Sequence, residues 1–167
     1  IGFNETGGTS EQDVYDVLDA SLGGTWYVLK HDPENITASR FPIVGTWDVH
    51  NRIQASLIDL DDEGPYILFI VGHLSCCGND NSRQDQADRF IEFVLDAKTP
   101  GGEITVSENT PIVFLGDMNL VGNSQQYYTI IEGDIQDTDT YGVGGLPDWD
   151  NSELEDVICR QTDKRMA

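Results

Sequence analysis

Basic residues are scarce in this chain. Its 167 residues include nine Lys and Arg against thirty Asp and Glu, so the formal net charge is −21. Non-specific binding of duplex DNA depends mainly on Lys and Arg that neutralise phosphates, so the charge argues against a broad DNA-binding face. A strongly acidic surface keeps a protein soluble under heavy screening by salt. We interpret it as the surface of a salt-adapted or highly soluble extracellular protein, with a specialised cation-binding surface as the alternative.

Cysteines and long apolar runs are also few. The cysteines are Cys76, Cys77 and Cys159. Adjacent cysteines seldom pair with each other, so at most one disulfide, to Cys159, is expected. No Cys/His spacing typical of zinc sites is present, so zinc is not expected. No stretch approaches the roughly 20 apolar residues of a membrane span, so we predict none.

The length suits one domain with its own core. No internal repeat or linker divides residues 1–167. The chain starts within an apolar run at Ile1 and stops at Ala167 without a closing element. We therefore expect an excerpt of a single domain that lacks its first strand and its C-terminal strands. The lysine-poor composition, three Lys against six Arg, favours an extracellular or periplasmic location.

Apolar periodicity predicts four helical segments. The first begins at Ser10, with Asp13 as its capping-box partner; the second begins at Ser82, with Asp85 as partner. The first helix ends at Gly23-Gly24 and has an apolar stripe of Val14, Val17, Leu18 and Leu22. The second has an apolar stripe of Ala87, Phe90, Ile91, Val94 and Leu95 and ends at Pro100-Gly101-Gly102. The last two are a short helix from Gln125 to Ile131 and a final turn with Leu154, Val157 and Ile158.

Short apolar runs predict the strands. They are Trp26 to Lys30, Ile43 to Trp47, Gln54 to Leu60, Tyr66 to Gly72 and Ile112 to Leu115. The segment from Asp61 to Pro65 has turn residues and predicts a hairpin, so part of the sheet is antiparallel. Because helices and strands alternate with both hairpins and crossovers, we predict α/β layers around a mixed sheet.

Polar side chains follow three of the apolar runs. Glu5 follows the run from Ile1, His73 follows the strand that ends at Gly72, and Asp117 and Asn119 follow the strand that ends at Leu115. Each alone has an ordinary explanation: a surface Glu, a structural His, and turn-forming Asp and Asn. Their shared placement at strand ends favours one site.

Four motifs in order resemble the endonuclease/exonuclease/phosphatase (DNase I-like) superfamily. Phe3-Asn4-Glu5 is similar to its acidic strand end, and the stretch from Ser39 to Ile43 is similar to its Ser-Arg-Tyr-Pro-Ile segment. His73-Leu74, followed by Arg83 and Gln86, resembles its His-Leu block. The run from Gly116 to Asn119 resembles its Gly-Asp-Phe-Asn signature. The ordered set covers the chain from Glu5 to about Asn119.

The resemblance implies a fold and a chemistry. The fold would be a two-layer mixed β-sandwich flanked by helices, with a site where strand ends of both sheets converge. The chemistry would be metal-assisted attack of water on a phosphoester, with Glu5 as ligand of Mg²⁺ or Mn²⁺ and Ca²⁺ as a possible substitute. Asp117 would orient or deprotonate the water, Asn119 would hold it or a phosphate oxygen, and His73 would stabilise charge at phosphorus.

Two further groups and several substrates follow from the same resemblance. Arg40 and Arg83 are secondary candidates for phosphate contact, although solvated or structural roles are common for arginine. The substrate would be a phosphoester of a nucleic acid or of a phospholipid headgroup, and we favour a nuclease-like enzyme.

The sequence also departs from the family pattern. The family has an Asn on a strand before the Glu and a late Asp-His pair, and neither is found here. One account is that both lie outside the excerpt. The alternative is a non-catalytic acidic module of the same fold that binds calcium or a basic partner.

Two acidic stretches are imperfect matches to other motifs. The stretch from Asp137 to Gly142 has part of a calcium-loop pattern, but its fifth position is Tyr141 and its twelfth is Asp148 rather than Glu. The stretch from Asp148 to Ser152 lacks the central Gly, and we expect it to cap the helix that follows. Either stretch remains open as a loose structural cation site.

Overall fold

The computed structural model describes residues 1–30, 32–120 and 124–157. Its strands form two sheets. The first sheet has the order β1-β3-β2 and is antiparallel: β1 (Gly2–Phe3), β2 (Tyr27–Leu29) and β3 (Ile36–Ser39). The second has the order β4-β5-β6-β7: β4 (Ile43–His50), β5 (Ile53–Asp59), β6 (Tyr66–His73) and β7 (Ile112–Asp117).

The second sheet is mixed, as the sequence predicts. The β4–β5 and β5–β6 pairs are antiparallel, and β5 and β6 are joined by the expected turn from Asp61 to Pro65. The β6–β7 pair is parallel, and its crossover contains α2 (Asp80–Lys98). The strand β3 is absent from the sequence-based prediction, which stopped at Lys30 and resumed at Ile43. All four of its residues are buried, because it is the central strand of its sheet.

The two sheets face each other and helices cover their outer sides. Gly2 in β1 lies against the side chains of Leu115 and Val71, and Gln54 Nε2 donates to Thr37 Oγ1 across the buried interface at 2.8 Å. The predicted sandwich flanked by helices is therefore confirmed.

Helix α1 (Glu11–Leu22) packs on the first sheet. Ser10 and Asp13 form the predicted capping box, and the helix ends at Gly23 as predicted. Val14 and Leu18 are buried with Trp26, Ile36 and Ala38. Val17 and Leu22 are 64% and 61% exposed, so the predicted apolar stripe was too wide.

Helix α2 packs on the second sheet. Phe90 stacks on Phe114 of β7 with ring centroids 4.1 Å apart, and Ala87, Ile91 and Val94 are fully buried. The helix begins at Asp80 rather than Ser82, and its N-cap, Asn79, makes no side-chain capping bond. The predicted capping box with Asp85 was wrong because Asp85 binds His50 and Tyr141 instead.

The remaining helices are short: α3 (Gln125–Glu132), which ends at Gly133 as predicted, and α4 (Thr138–Tyr141). Asp137 caps α4 through Thr140 N, so the stretch considered as a calcium loop starts a helix. Residues 152–157 are not helical, which corrects the predicted final turn and the expected capping by Asp148; Ile158 and Cys159 lie outside the described residues. None of the described helices is long and apolar enough to cross a membrane.

Candidate active site

The carboxyl ends of β6 and β7 meet at one edge of the second sheet. The strands are parallel, with Gly72 paired to Gly116 and His73 paired to Asp117. Gly116 has φ +137°, and a Cβ there would overlap the carbonyl oxygen of Gly72. The glycine therefore allows the approach that sets His73 beside Asp117.

Glu5 reaches the same place from the other sheet. It follows β1 with φ +56°, its side chain is 77% exposed, and its Oε1 lies 3.8 Å from His73 Nε2. A cleft of about 450 Å³ at this point is lined by Glu5, Gly7, Glu34, Arg52, His73, Cys76, Asp117 and Asn119. All four residues proposed from the sequence as catalytic or metal-binding thus line one cleft.

Asn4 joins the two sheets beneath this cleft. Its Nδ2 donates to Gly72 O at 3.0 Å and to Asn35 Oδ1 at 2.6 Å. Its Oδ1 accepts from the backbone N–H of Asp117 at 3.2 Å. One amide therefore holds the end of β1, both strand ends of the second sheet and the loop before β3 in register.

The loop that carries Glu34 is fixed by a buried Asp. Asp32 Oδ1 accepts from the N–H groups of Glu34 and Asn35, and its Oδ2 accepts from Asn35 Nδ2 at 2.7 Å. Asn35 is fully buried and also donates to the carbonyl of Arg52 at 2.8 Å. These bonds place Glu34 and Arg52 on the cleft wall, where sequence reasoning had not put them.

His73 is buried between two carboxylates. Its Nδ1 lies 3.5 Å from Glu34 Oε2 without a hydrogen bond in the structure, and its Nε2 lies 3.8 Å from Glu5 Oε1. Its backbone N–H donates to Arg52 O at 2.9 Å, which fixes the main chain at the strand end. An imidazole in this position can donate a hydrogen bond to an anion in the cleft.

Asp117 and Asn119 form a tight turn after β7. Asn119 has φ +49°, and its N–H donates to Asp117 Oδ1 at 2.9 Å. Asn119 Nδ2 donates to Leu74 O at 2.9 Å, which ties the turn to the segment after His73. The turn leaves Asp117 exposed at the cleft, where its carboxylate can accept a proton or a hydrogen bond from water.

The donor chemistry of the cleft suits a hard divalent cation. It offers three carboxylates, Glu5, Glu34 and Asp117, together with the amide of Asn119. Within the described ranges, no three His, Cys, Asp or Glu side chains are grouped closely enough to share an ion. Mg²⁺ is commonly held by one or two carboxylates, with water and substrate phosphate as its other ligands. The chemistry of these donors therefore fits such an ion.

The two arginines suggested as phosphate contacts lie outside this cleft. Arg40 donates to the carbonyls of Leu22, Gly23 and Thr25 and lies 3.9 Å from the ring centroid of Trp26. It therefore covers the C-terminal end of α1, where a cation is favourable.

Arg83 is buried, and it donates to the carbonyls of Ser75 and Cys77 and to Asp80. It organises the loop after β6. Arg52, which lies in the turn between β4 and β5 with φ +69°, is instead among the residues that line the cleft.

The fold is similar to that of several solved structures. For D. rerio TDP2 complexed with a single-strand DNA product, the TM-score is 0.50 at 14% identity, covering 72% of this chain and 47% of that chain. For the human Nocturnin catalytic domain, the TM-score is 0.49 at 18% identity, covering 71% and 51%. For an endonuclease/exonuclease/phosphatase family protein from Bacteroides thetaiotaomicron, it is 0.47 at 19% identity, covering 70% and 49%.

The comparison with D. rerio TDP2 supports the fold alone. The chain has a mixed α/β fold of the DNase I-like kind, which agrees with the fold that its four motifs predicted. It spans between 36% and 51% of the length of the solved chains it matches. No protein-family model and no curated protein matches the sequence.

Proposed function

We propose that this chain belongs to a divalent-metal-dependent phosphodiesterase whose reaction takes place in the cleft between the two sheets. The observation that carries the proposal is the convergence of Glu5, His73, Asp117 and Asn119 on that cleft from three separate strand ends. Phosphoryl transfer requires little covalent chemistry from the protein and depends on positioning and electrostatic stabilisation. A fixed carboxylate, imidazole and amide around one cavity meet that requirement.

Each side chain has a distinct part in the proposed reaction. Asp117 accepts a hydrogen bond or proton from the attacking water, and Asn119 holds the water or a non-bridging oxygen. His73 donates to a phosphate oxygen as negative charge develops there. Glu5 would hold Mg²⁺ or Mn²⁺, which would supply positive charge to the phosphate.

Glu34 and Arg52 extend this assignment. Glu34 Oε2 lies 3.5 Å from His73 Nδ1, so we assign it the role of orienting the imidazole. Arg52 is among the residues that line the cleft. A guanidinium binds a phosphate through paired hydrogen bonds, so we assign Arg52 to the substrate rather than Arg40 or Arg83.

The preferred substrate class is a short or single-stranded nucleic acid, with a phospholipid headgroup as the other member of the phosphodiester class. The net charge of −21 opposes a long duplex, whose binding depends on many Lys and Arg contacts. A short strand that places one phosphate in the cleft avoids most of that repulsion. The proposal takes support from D. rerio TDP2, whose structure holds a single-strand DNA product.

The first test is hydrolysis of bis(p-nitrophenyl) phosphate by the full protein that contains this chain, with and without Mg²⁺ or Mn²⁺. Asp117→Asn keeps the size of the side chain and is expected to lower the rate by about 10²- to 10³-fold, as for other lost transition-state contacts. The matched control is Asp19→Asn, which removes the same charge from the exposed side of α1. Equal rates for the two variants would contradict the assignment of Asp117.

A second assay separates the substrate classes. Single-stranded oligonucleotide, duplex of the same sequence and sphingomyelin vesicles are compared at the same phosphate concentration. We expect the single strand to be cleaved fastest, with the duplex rate improving as salt screens the repulsion. Metal-dependent stabilisation of the protein without turnover on any substrate would instead favour the non-catalytic acidic module.

A further inference from the structure

Two adjacent thiols lie at the rim of the cleft, in the loop between β6 and α2. Cys76 and Cys77 are both free and exposed. Cys76 lines the cleft together with His73 and Asp117. Cys77 lines the neighbouring cavity of about 490 Å³, which shares Asp117 and Asn119 with the cleft. The pair therefore lies beside the proposed catalytic residues but has no part in the proposed reaction.

Side chains of α2 hold the backbone of this loop. Arg83 Nη1 donates to Ser75 O at 2.6 Å and to Cys77 O at 3.1 Å. Asn79 Nδ2 donates to Cys76 O at 2.9 Å. Because these bonds use carbonyl groups, they fix the main chain and leave both thiols accessible to solvent.

The local backbone brings the two thiols together. In an extended strand, adjacent side chains point to opposite faces, but Cys77 has φ +65° and interrupts that alternation. The hydrogen-bonding interaction with Cys76 raises the pKa of the Cys77 thiol, an effect that the nearby charge of Arg83 opposes. The two exposed thiols thus lie on adjacent residues at one bend of the loop.

A pair of thiols suits thiol–disulfide exchange better than it suits zinc binding. A zinc site requires three or four protein ligands, and the described part of the chain groups no three His, Cys, Asp or Glu side chains around one point. Thiol–disulfide exchange, by contrast, requires only an accessible thiolate and a second thiol within reach.

We propose that Cys76 and Cys77 form a dithiol modification site that reacts with low-molecular-weight disulfides. The Cys76 thiolate attacks one sulfur of the external disulfide, whose S–S bond breaks and releases one small thiolate. The mixed disulfide on Cys76 is then attacked by the Cys77 thiolate, which releases the second small thiol and closes the Cys76–Cys77 bond. In sum, two protein thiols are oxidised, the external disulfide is reduced to two thiols, and the two protons pass to them.

The product is expected to be easily reduced. Adjacent Cα atoms lie about 3.8 Å apart across a trans peptide, whereas disulfides usually join Cα atoms roughly 4.4 to 6.8 Å apart. Strained disulfides have more oxidising potentials and are the labile ones. The modification is therefore reversible by ordinary thiols.

Oxidation is expected to inhibit the reaction, a consequence that rests on the proposed function. Leu74 and Ser75 join His73 to the pair, and Leu74 O accepts the hydrogen bond from Asn119 Nδ2. Closing the disulfide changes the backbone of this segment and so displaces groups on both sides of the cleft. Because small displacements of catalytic groups are costly, we expect hydrolysis to fall by about tenfold or more and to recover with dithiothreitol.

The test uses the full protein with every cysteine other than Cys76 and Cys77 replaced by Ser, Cys159 included, so that only the pair can react, and oxidised glutathione as the probe. Intact-mass spectrometry is expected to show a transient adduct of one glutathione, followed by a species that has lost two hydrogens. Cys77→Ser is expected to stop at the stable glutathione adduct, and Cys76→Ser to react much more slowly. Phenylarsine oxide binds two close thiols together. It is therefore expected to protect the parent protein from reaction with oxidised glutathione but to protect neither single variant.

The mass readout does not depend on catalysis. If the protein proves inactive on every phosphodiester, the proposed function fails while the dithiol site is still decided by mass. A Cys77→Ser adduct that disappears as fast as the parent adduct would overturn the site, and so would arsenical protection of the single variants. A closed disulfide that leaves hydrolysis unchanged would overturn the inhibition.

Discussion

His73 and Asp117 are paired residues on two adjacent parallel strands, so the imidazole and the carboxylate leave the sheet at the same level. The pair before them is Gly72 and Gly116, which have no side chains to separate the strands. The sequence Gly-His after one strand and Gly-Asp after the next thus has a direct structural reason. Both glycines therefore help to position His73 and Asp117 side by side.

Substitution of Gly116 should therefore cost stability as well as activity. Gly116→Ala places a Cβ against the Gly72 carbonyl and requires φ +137°, so we expect it to lower the free energy of unfolding by about 2 to 4 kcal/mol. Gly142→Ala is the control, because Gly142 also has positive φ, +77°, but open space around it. Its expected cost is about 1 kcal/mol. Urea denaturation distinguishes the two, and equal costs would show that the clash is relieved.

The sequence predicts the four cleft residues Glu5, His73, Asp117 and Asn119 because each follows a recognisable apolar run. Parallel strand ends meet at one sheet edge, so His73 and Asp117 required only the strand assignment. Glu34 and Arg52 could not be found in this way. Their positions depend on long-range bonds from Asp32 and Asn35 to backbone groups, which leave no periodic signal.

Local patterns failed where a distant partner used the same side chain. Ser82 and Asp85 match a capping box, but Asp85 is bound by His50 and Tyr141, which are far away in the sequence. The acidic stretch from Asp148 was expected to cap a following helix, but Lys98 Nζ donates to the carbonyl of Asp148 and to those of Leu146 and Pro147 before it. In both cases tertiary contacts decided between local alternatives of similar energy.

Arg40 and Arg52 should respond oppositely to substitution. Arg40→Ala removes the bonds to the end of α1 and the contact with Trp26, so stability should fall by about 1 to 2 kcal/mol with hydrolysis unchanged. Arg52→Ala removes a cleft cation of the same charge, so hydrolysis should fall by about tenfold with a small change in stability. Urea denaturation and kcat/KM of both variants check this. Loss of activity in Arg40→Ala at full stability would restore Arg40 as a substrate contact.

Tyr141 should titrate well above the ordinary range of a tyrosine. Burial and its hydrogen bond to Asp85 raise its pKa to about 12. Since the folded-state pKa is above the ordinary value, the associated stability is full below pH 10 and is lost as pH rises through about 12. In a spectrophotometric pH titration, the tyrosinate absorbance of Tyr141→Phe should therefore lack the last phase, near pH 12. Asp85→Asn should shift that phase to lower pH, and an unchanged last phase in both variants would contradict the assignment.

Stability and activity should both be sensitive to substitution of Asn4, which lies beneath the cleft. Its Nδ2 donates to Gly72 O and Asn35 Oδ1, and its Oδ1 accepts from Asp117 N–H. Asn4→Asp keeps the acceptor but places a second carboxylate oxygen against the two oxygens that Nδ2 served. We expect a loss of about 2 to 4 kcal/mol in the free energy of unfolding, because hydrogen bonds are replaced by repulsion.

The control for Asn4→Asp is Asn109→Asp, which adds the same charge at an exposed loop residue. It should change stability by less than about 0.5 kcal/mol. Hydrolysis should fall in Asn4→Asp even under conditions in which the variant is fully folded, because the amide also fixes the backbone N–H of Asp117. A variant that is as stable and active as the Asn109 control would mean that the two sheets are held at the cleft by other contacts. The assignment of Asn4 as their connection would then be wrong.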